Sequence, residues 1–289
     1  MSSPSICVFD SAEVAVRELA DELSELIRSR AAQGRVAVLG LATGNTPLPL
    51  YQELIRRHRH QGLSFANVIS FNLDEYLGLA RDHAESYWTF MHRNLFDHID
   101  MPESNIHLPS GSLPEPTIPA HCAEYEAQIR DAGGLDFQLL GIGGTGHIGF
   151  NEPGSAKDSR TRSVHLDEVT RRDAAPAFGG IDQVPTRAIT MGCGTILDAR
   201  RIVLLAWCKR KAAIVNTALN GPLTEQVSAS FLQEHPNTSF YLDRGAASAL
   251  ACVPATAPCG DTLASPAKQI AYYSDTPSID DCRLLIFDC

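Results

Sequence analysis

One glycine-rich loop of this 289-residue chain carries two side chains that can move protons. It spans Gly141–Pro153 and directly follows Phe137–Leu140, an apolar run typical of a buried strand that ends in a tight loop. Within the loop, His147 and Glu152 supply an imidazole and a carboxylate, and the glycines let a ligand approach the backbone closely. A purely structural loop needs neither group, so the pattern indicates acid–base chemistry.

A second loop has the features of an anion site. It covers Thr43–Pro47 and follows the apolar run Val36–Leu41. We predict that Thr46 caps a helix whose first residue is Pro47, so that a helix N terminus opens above a glycine loop. Free backbone N–H groups at such an end bind anions, most often phosphate. An ordinary capped turn would have the same residues, and this alternative stays open.

Two further predicted strands end in charged groups. Asn72–Tyr76, with Asp74 and a second carboxylate, closes the strand Val68–Leu73, and Lys209–Lys211 follows the strand Ile202–Trp207. Each group alone is also consistent with a solvated strand end or helix start. Because the carboxyl ends of parallel strands meet at one edge of a sheet, the four ends together predict a site for a small phosphorylated metabolite.

The hydrophobic pattern alternates between helices and strands along the chain. We predict that Ser11 caps a first helix with one apolar stripe and that Gly34 ends it. The other predicted elements are helices from Pro47, over Ser86–Phe96, near Ala120–Ile129 and over Lys211–Leu219, and strands at Ala188–Met191 and Phe240–Leu242. This alternation predicts an α/β fold with a mainly parallel central sheet and right-handed crossovers.

The composition is that of an ordinary globular domain. Hydrophobic residues make up 44% of the chain, charged residues 20%, and the formal net charge is −10. This charge argues against nucleic acid or an anionic membrane as the main partner, and no apolar run approaches the roughly 18 residues of a membrane span. The N terminus lacks the pattern of a signal peptide, so we expect a cytoplasmic protein.

The eight cysteines form no C-x-x-C pair. Four are scattered, whereas Cys252, Cys259, Cys282 and Cys289 crowd the tail. Zinc in the tail is one interpretation, but metal knuckles use tighter spacing. Reduced thiols, some packed and some exposed, fit a cytoplasmic protein better.

Seven segments resemble the glucosamine-6-phosphate deaminase family, also called glucosamine-6-phosphate isomerases. They are Leu41–Pro47, Phe71–Tyr76, Ser86–Asn94, Gly146–Pro153, Arg160–Arg162, Gln183–Pro185 and Met191–Thr195. The whole match runs in the family's order from the first helix to about residue 245. The resemblance implies a Rossmann-like three-layer α/β/α domain. It also implies conversion of glucosamine 6-phosphate and water to fructose 6-phosphate and ammonia, without a metal or an organic cofactor.

The resemblance gives roles to individual residues. Asp74 matches the base that takes the C2 proton and returns it to C1, His147 the group that opens the pyranose ring, and Glu152 its acidic helper. The phosphate-binding residues that it implies are Thr43, Gly44, Asn45, Thr46 and Lys211. These roles are chemically consistent, because a carboxylate can shuttle a proton between adjacent carbons and a neutral imidazole can relay one between two oxygens.

Three positions depart from the family pattern. Thr145 stands where the family has an aspartate that orients the loop histidine, so Thr145 is a candidate catalytic residue and ring opening is expected to be slower or to use other groups. The family's phosphate-binding arginine falls near Pro176 without gaps, and Arg171 or Arg172 could substitute if the loop has shifted. Val164 replaces a lysine of the regulatory site, so control by N-acetylglucosamine 6-phosphate is not expected.

We therefore expect a deaminating aldose–ketose isomerase of amino-sugar catabolism in residues 1–250, followed by an extension of unknown role at 251–289. Its expected partner is a small amino-sugar phosphate, not nucleic acid or a membrane, and a homo-oligomer is left open. One alternative is a 6-phosphogluconolactonase-type hydrolase, which shares the fold and a Gly-His loop. The other is a non-catalytic sugar-phosphate sensor. Phe150–Pro153 and Asp74–Tyr76 favour the deaminase.

Overall fold

The computed structural model describes residues 3–251 and the strand at 270–273. An α/β fold with a parallel central sheet is confirmed. The strands are β1 (Ser5–Phe9), β2 (Ala37–Leu41), β3 (Val68–Asn72), β4 (Asp74–Tyr76), β5 (Ile106–His107), β6 (Phe137–Leu140), β7 (Arg162–His165), β8 (Arg187–Thr190), β9 (Ile202–Ala206), β10 (Thr238–Asp243) and β11 (Ile270–Tyr273). The helices are α1 (Ala12–Ala32), α2 (Leu48–Gln61), α3 (Tyr87–Asn94), α4 (Ile118–Asp131), α5 (Glu168–Phe178), α6 (Cys193–Leu197) and α7 (Ala212–Asn220).

The central sheet has, in the described part of the chain, eight parallel strands in the order β11-β1-β10-β9-β6-β2-β3-β5. From β2 the chain moves outward to β3 and β5, whereas from β6 it moves the other way to β9 and β10. Right-handed crossovers therefore put α1 and α2 on one face and α4 and α7 on the other, which gives three layers. Ligands of such sheets bind where the strand order reverses, here between β2 and β6.

Burial of both faces explains why the central strands are apolar along their length. All five residues of β2 and of β9 are buried. Ser11 caps α1 as predicted, since its hydroxyl accepts a hydrogen bond from the Val14 N–H at 3.4 Å. The predicted apolar stripe of α1 packs on the core through Leu19, Leu23 and Ile27.

A second sheet is antiparallel and, among the described residues, has the three strands β4-β8-β7. The strand predicted at Ala188–Met191 is β8, which pairs antiparallel with β4 and β7 in this small sheet. Asp74 opens β4 opposite Thr190 of β8. The chain crosses between the sheets at Leu73, whose carbonyl accepts a hydrogen bond from the Met191 N–H at 2.7 Å.

The predicted start of α2 needs a correction. The helix begins at Leu48, and Pro47 occupies the N-cap position without a capping hydrogen bond from a side chain. The prediction that Thr46 caps this helix was wrong because Asn45 opens a turn ahead of it, closed by a hydrogen bond from the Leu48 N–H to the Asn45 carbonyl at 3.3 Å. The backbone before α2 is therefore a tight turn, and no side chain caps the N–H groups at the start of the helix.

The helix α5 was not predicted. Pro176 lies inside it, and a proline normally argues against a helix interior. Asp167 nevertheless caps the helix, because its carboxylate accepts a hydrogen bond from the Val169 N–H at 2.7 Å. Pro176 is only two residues from the end of the helix at Phe178, so most of the helix precedes it.

Part of the tail contributes to the sheet. β11 pairs in parallel with β1 at one edge. The division of the chain at residue 250 remains a prediction. None of the described helices is long and apolar enough to span a bilayer.

The four cysteines within residues 3–251 do not form disulfides with one another. Three are buried and Cys208 is partly exposed; the buried ones are Cys7, Cys122 and Cys193. The tail cysteines discussed above, Cys252, Cys259, Cys282 and Cys289, lie outside the described residues.

Cys208 follows β9 in a strained backbone conformation. Its φ is 69° and its ψ is 154°, and it is the one non-glycine residue of the described part with a positive φ. This region is essentially restricted to glycine and costs about 1–3 kcal/mol in other residues. The strain is held in place by a hydrogen bond from the Cys208 N–H to Asp243 Oδ2 at 2.9 Å.

Cys208→Gly is expected to stabilise the fold by roughly 1 kcal/mol, because relief of the strain exceeds the added entropy of a glycine in the unfolded chain. Thermal or urea unfolding measures the change. Cys208→Ala is the matched control, since it keeps the Cβ atom and should gain nothing. A glycine variant that melts at or below the temperature of wild type would contradict the assignment of strain.

Candidate active site

The site lies at the carboxyl edge of the parallel sheet, beside the point where the strand order reverses. A cavity of about 180 Å³, here called the inner cavity, is lined by Asp74 and His147 together with Thr43, Thr46 and Tyr87. The loops after β2 and β6 and the start of β4 all contribute to it. Residues predicted from three separate strand ends therefore meet in one place.

Asp74 is the buried carboxylate of the inner cavity. Only 5% of its surface is exposed. Gly149 packs so closely that a Cβ atom there would lie 2.9 Å from Thr190 Oγ1 and 3.4 Å from Asp74 Oδ2. Burial, and after it the charge of Glu75, raises the pKa of Asp74 well above its ordinary value. Once deprotonated, a carboxylate with a raised pKa is the stronger base.

The neighbouring Glu75 has a structural role. Its carboxylate accepts hydrogen bonds from the N–H groups of Tyr76 at 2.9 Å, Tyr87 at 3.0 Å and Trp88 at 3.1 Å. Two of these donors open α3, so Glu75 satisfies the N terminus of that helix. Burial raises the pKa of Glu75 to about 6, against the effect of these hydrogen bonds. Of the two adjacent carboxylates, Asp74 is the one that lines the inner cavity.

Aromatic side chains form one wall of the site. The rings of Tyr76 and Tyr87 are 5.0 Å apart, and both contact Phe150. Burial raises the pKa of Tyr87 well above its ordinary value. Sequence reasoning missed Tyr87 as a site residue, although the segment Ser86–Asn94 carries part of the family resemblance. This neutral wall contributes to the burial of Asp74.

His147 is oriented through one of its ring nitrogens. Its Nδ1 is 2.9 Å from Thr145 Oγ1 and 3.1 Å from Glu152 Oε2. Because an ionised carboxylate only accepts hydrogen bonds, we assign the ring proton to Nδ1, which leaves the lone pair on Nε2. Nε2 lies against Gly143, where a Cβ atom would be 2.1 Å away, so only glycine leaves room for the ring.

Glu152 is held in place by groups on α5 and its N cap. It is 8% exposed, and its Oε1 accepts a hydrogen bond from the Asp167 N–H at 3.2 Å. Burial alone would raise the pKa of Glu152, but the nearby His147, 3.1 Å from Oε2, and the hydrogen bond from the Asp167 backbone outweigh burial and hold the pKa below its ordinary value. Glu152 therefore places a negative charge beside His147, which the uncharged Thr145 cannot do. This geometry agrees with the predicted role of Glu152, which stays a prediction.

The loop after β2 closes another side of the inner cavity. Thr43 and Thr46 line it. Gly44 and Asn45 lie between them and are exposed. Within residues 3–251, no backbone or side-chain acceptor takes a hydrogen bond from the N–H groups of Gly44, Asn45 or Thr46. The Trp207 indole N–H pins the loop from behind by donating to the Thr46 carbonyl at 3.1 Å. These free N–H groups are open to an anion.

Lys211 lies beside the inner cavity and outside its lining. Its Nζ donates a hydrogen bond to the Ile142 carbonyl at 2.9 Å, and Ile142 does line the inner cavity. Burial, and after it the nearby charge of Arg210, lowers the pKa of Lys211. One N–H of the ammonium is used by Ile142, so two remain for a ligand.

Neither Arg171 nor Arg172 is placed at the inner cavity. Arg171 Nη2 donates to the carbonyls of Ile181 at 2.8 Å and Val184 at 3.2 Å. Arg172 pairs with Glu168 one turn earlier on the exposed surface of α5. Both guanidinium groups are thus engaged by α5 and the segment that follows it, and neither lines the inner cavity.

Comparison with known proteins agrees with the geometry. The family described as glucosamine-6-phosphate isomerases/6-phosphogluconolactonase matches residues 10–240. A glucosamine-6-phosphate deaminase from Arthrobacter sp. (strain FB24) is 48% identical over 231 residues, which cover 80% of this chain and 86% of the relative. A solved structure described as a monomeric glucosamine-6-phosphate deaminase is 42% identical, with a TM-score of 0.81, and the match covers 85% of this chain and 99% of that chain.

A third relative is longer than this chain. A putative glucosamine-6-phosphate deaminase-like protein from Bacteroides thetaiotaomicron is 42% identical over 239 residues, which cover 83% of this chain and 36% of that relative. The family match and these identities confirm the resemblance carried by the seven segments. The chain belongs to the glucosamine-6-phosphate isomerase/6-phosphogluconolactonase family.

Proposed function

We propose that this protein is a glucosamine-6-phosphate deaminase of the cytoplasm, which converts glucosamine 6-phosphate and water to fructose 6-phosphate and ammonia. One observation carries the proposal. The inner cavity combines a buried carboxylate, an oriented histidine and a loop with free N–H groups. The substrate offers a matching group to each, namely the C2 proton, the hemiacetal ring and the phosphate. The relatives named for this activity, 48% and 42% identical, support it.

Ring opening is assigned to His147. Its Nε2 takes the proton of the anomeric hydroxyl, and the resulting imidazolium donates a proton to the ring oxygen as the C1–O bond breaks. Glu152, 3.1 Å from Nδ1, stabilises the charged imidazolium between the two transfers. The product is the open-chain aldehyde. Its carbonyl acidifies the C2 proton, because the negative charge left at C2 can spread onto the carbonyl oxygen.

Proton transfer from C2 to C1 is assigned to Asp74. The carboxylate removes the C2 proton while the substrate ammonium group passes one proton to the aldehyde oxygen, which gives an enolamine. The carboxylate then returns its proton to C1, while the nitrogen lone pair forms a C=N bond at C2. The raised pKa of Asp74 serves both halves of the step, since it makes the carboxylate a better base and lets it keep the proton until C1 accepts it. Adjacent carbons can share one base.

Hydrolysis of the imine completes the reaction. Water adds to C2, the nitrogen leaves as ammonia, and the C2 carbonyl of fructose 6-phosphate remains. Binding of the phosphate by the loop after β2 and Lys211 holds C1 and C2 in place, and this remote binding supplies the positioning for the proton transfers. Each step is thus performed by a side chain of this protein or by water.

Two alternative functions, a lactonase and a sensor without turnover, make different demands on the site. A 6-phosphogluconolactonase-type reaction is an ester hydrolysis that needs activated water and no base for a C2 proton. A carboxylate that is only 5% exposed beside the cavity therefore favours the deaminase. A sensor without turnover would need the phosphate site but not the acid–base pair formed by His147 and Glu152.

The direct test supplies glucosamine 6-phosphate to the purified protein and follows ammonia and fructose 6-phosphate together. We expect the two products in equal amounts. Hydrolysis of 6-phosphogluconolactone without release of ammonia from the amino sugar would replace the proposal with the lactonase. Tight binding of the amino-sugar phosphate without turnover would replace it with the sensor.

Asp74→Asn is expected to raise the melting temperature at pH 7. The folded-state pKa of Asp74 is well above the unfolded value of 3.8, so the folded state holds this proton more tightly. Wild type therefore loses stability as the pH rises from about 4 through the folded-state pKa. Asparagine cannot ionise, so the difference between the variants should grow with pH and shrink near pH 4. If the asparagine variant were less stable than wild type at pH 7, the ionised Asp74 side chain would not destabilise the folded protein, and the prediction would be wrong.

Thr145→Asp is expected to speed turnover by up to ~10-fold, equivalent to roughly 1.4 kcal/mol in the barrier. It would add a second negative charge beside His147 Nδ1, where Thr145 Oγ1 now lies 2.9 Å away. Thr145→Asn is the matched control, because it has the same shape as aspartate without the charge. Steady-state kinetics on glucosamine 6-phosphate measures the effect. A slower aspartate variant would mean that the loop is arranged around Thr145 and that Glu152 suffices.

A further inference from the structure

A second cavity lies beside the inner one. It has a volume of about 510 Å³ and is lined by Gly144 of the catalytic loop, Asp173 of α5, and Arg210 and Lys211 at the start of α7. We call it the outer cavity. Gly143 lines the inner cavity and Gly144 the outer one, so the two cavities meet along the loop after β6.

Arg210 lines the outer cavity. Some exposed arginines pair with carboxylates, as Arg172 does with Glu168 and Arg244 with Asp10. Arg210 is exposed and, across residues 3–251, forms no ion pair of this kind. It instead sits next to a like charge, since the charge of Arg210 contributes to the lowered pKa of Lys211. Two adjacent cations repel each other until an anion lies between them.

The turn that carries these cations is fixed from several sides. Trp207 bonds to the Thr46 carbonyl of the loop after β2 at 3.1 Å, and Lys211 bonds to the Ile142 carbonyl of the loop after β6 at 2.9 Å. Between them, Cys208 holds the strained φ of 69°. Strain of this kind persists where the surrounding structure determines it, often at ligand sites. The turn that carries Arg210 is therefore held against both catalytic loops.

We infer that Arg210 is a further binding residue, which contacts the phosphate of the sugar substrate from the outer cavity together with Lys211. The inference rests on the proposed function. A guanidinium group forms two parallel hydrogen bonds to a phosphate, so Arg210 adds both charge and orientation. Asp173 of α5, which also lines the outer cavity, offsets one of the two positive charges, and the lining keeps a net positive charge.

This arrangement explains how the site manages without an arginine at position 176. Pro176 cannot bind an anion through its side chain, and Arg171 and Arg172 are engaged elsewhere. The second cation comes from the strand β9 side of the site, next to Lys211 in sequence. Arg210 thereby determines the preference for phosphorylated over free sugars.

The test compares Arg210→Ala with Lys209→Ala, which removes an exposed neighbouring cation that does not line the outer cavity. Calorimetry measures binding of fructose 6-phosphate, inorganic phosphate and unphosphorylated fructose. We expect Arg210→Ala to weaken binding of the two phosphate compounds by about 10-fold, to leave fructose unchanged and to raise KM with little change in kcat. Arg210→Lys should recover part of the affinity, and Lys209→Ala should match wild type.

Equal affinity of wild type and Arg210→Ala for fructose 6-phosphate would overturn the inference, as would equal losses in the Arg210 and Lys209 variants. Both results leave the proposed function intact if wild type releases ammonia from glucosamine 6-phosphate. Conversely, absence of ammonia release by wild type would overturn the proposed function, and the binding data would still decide whether Arg210 recognises phosphate.

Discussion

The buried charge of Asp74 is the interaction on which the rest of the site depends. A carboxylate that is 5% exposed is costly to ionise, and the structure surrounds it with elements that keep it there. β4 fixes it opposite Thr190, Gly149 allows the catalytic loop to close over it, and the ring of Tyr87 shields it. The same burial that raises the pKa of Asp74 makes it suitable for carrying a proton between two carbons.

The parallel sheet explains why the other groups meet Asp74. The strand order reverses between β2 and β6, so the loops after these two strands diverge and leave a crevice between them. The loop after β2 brings free N–H groups, and the loop after β6 brings His147. Glu152 then ties the second loop to α5 through the Asp167 N–H. Proton transfer and phosphate binding thus use opposite sides of one crevice, which matches a substrate whose phosphate is remote from C1 and C2.

Much of this could be predicted from local sequence. The strand Phe137–Leu140 has the predicted bounds and Ser11 caps α1, because both depend on neighbouring residues. Other features depend on contacts between distant segments. Asp74 and Glu75 cannot be distinguished in the sequence. Only the folded position of α3 shows that the Glu75 carboxylate accepts hydrogen bonds from the N–H groups at the N terminus of α3. The turn before α2 replaced the predicted Thr46 cap, and the partners of Arg171 appear only once α5 is folded.

The measurement that tests the account most directly follows exchange at C2 of glucosamine 6-phosphate in D₂O. Wild type should incorporate deuterium at C2 of recovered substrate and at C1 of the fructose 6-phosphate product. Asp74→Asn should keep the fold and the affinity for fructose 6-phosphate but lose both incorporations, because no other described carboxylate lines the inner cavity. Undiminished exchange at C2 in the asparagine variant would contradict the assignment of Asp74 as the base.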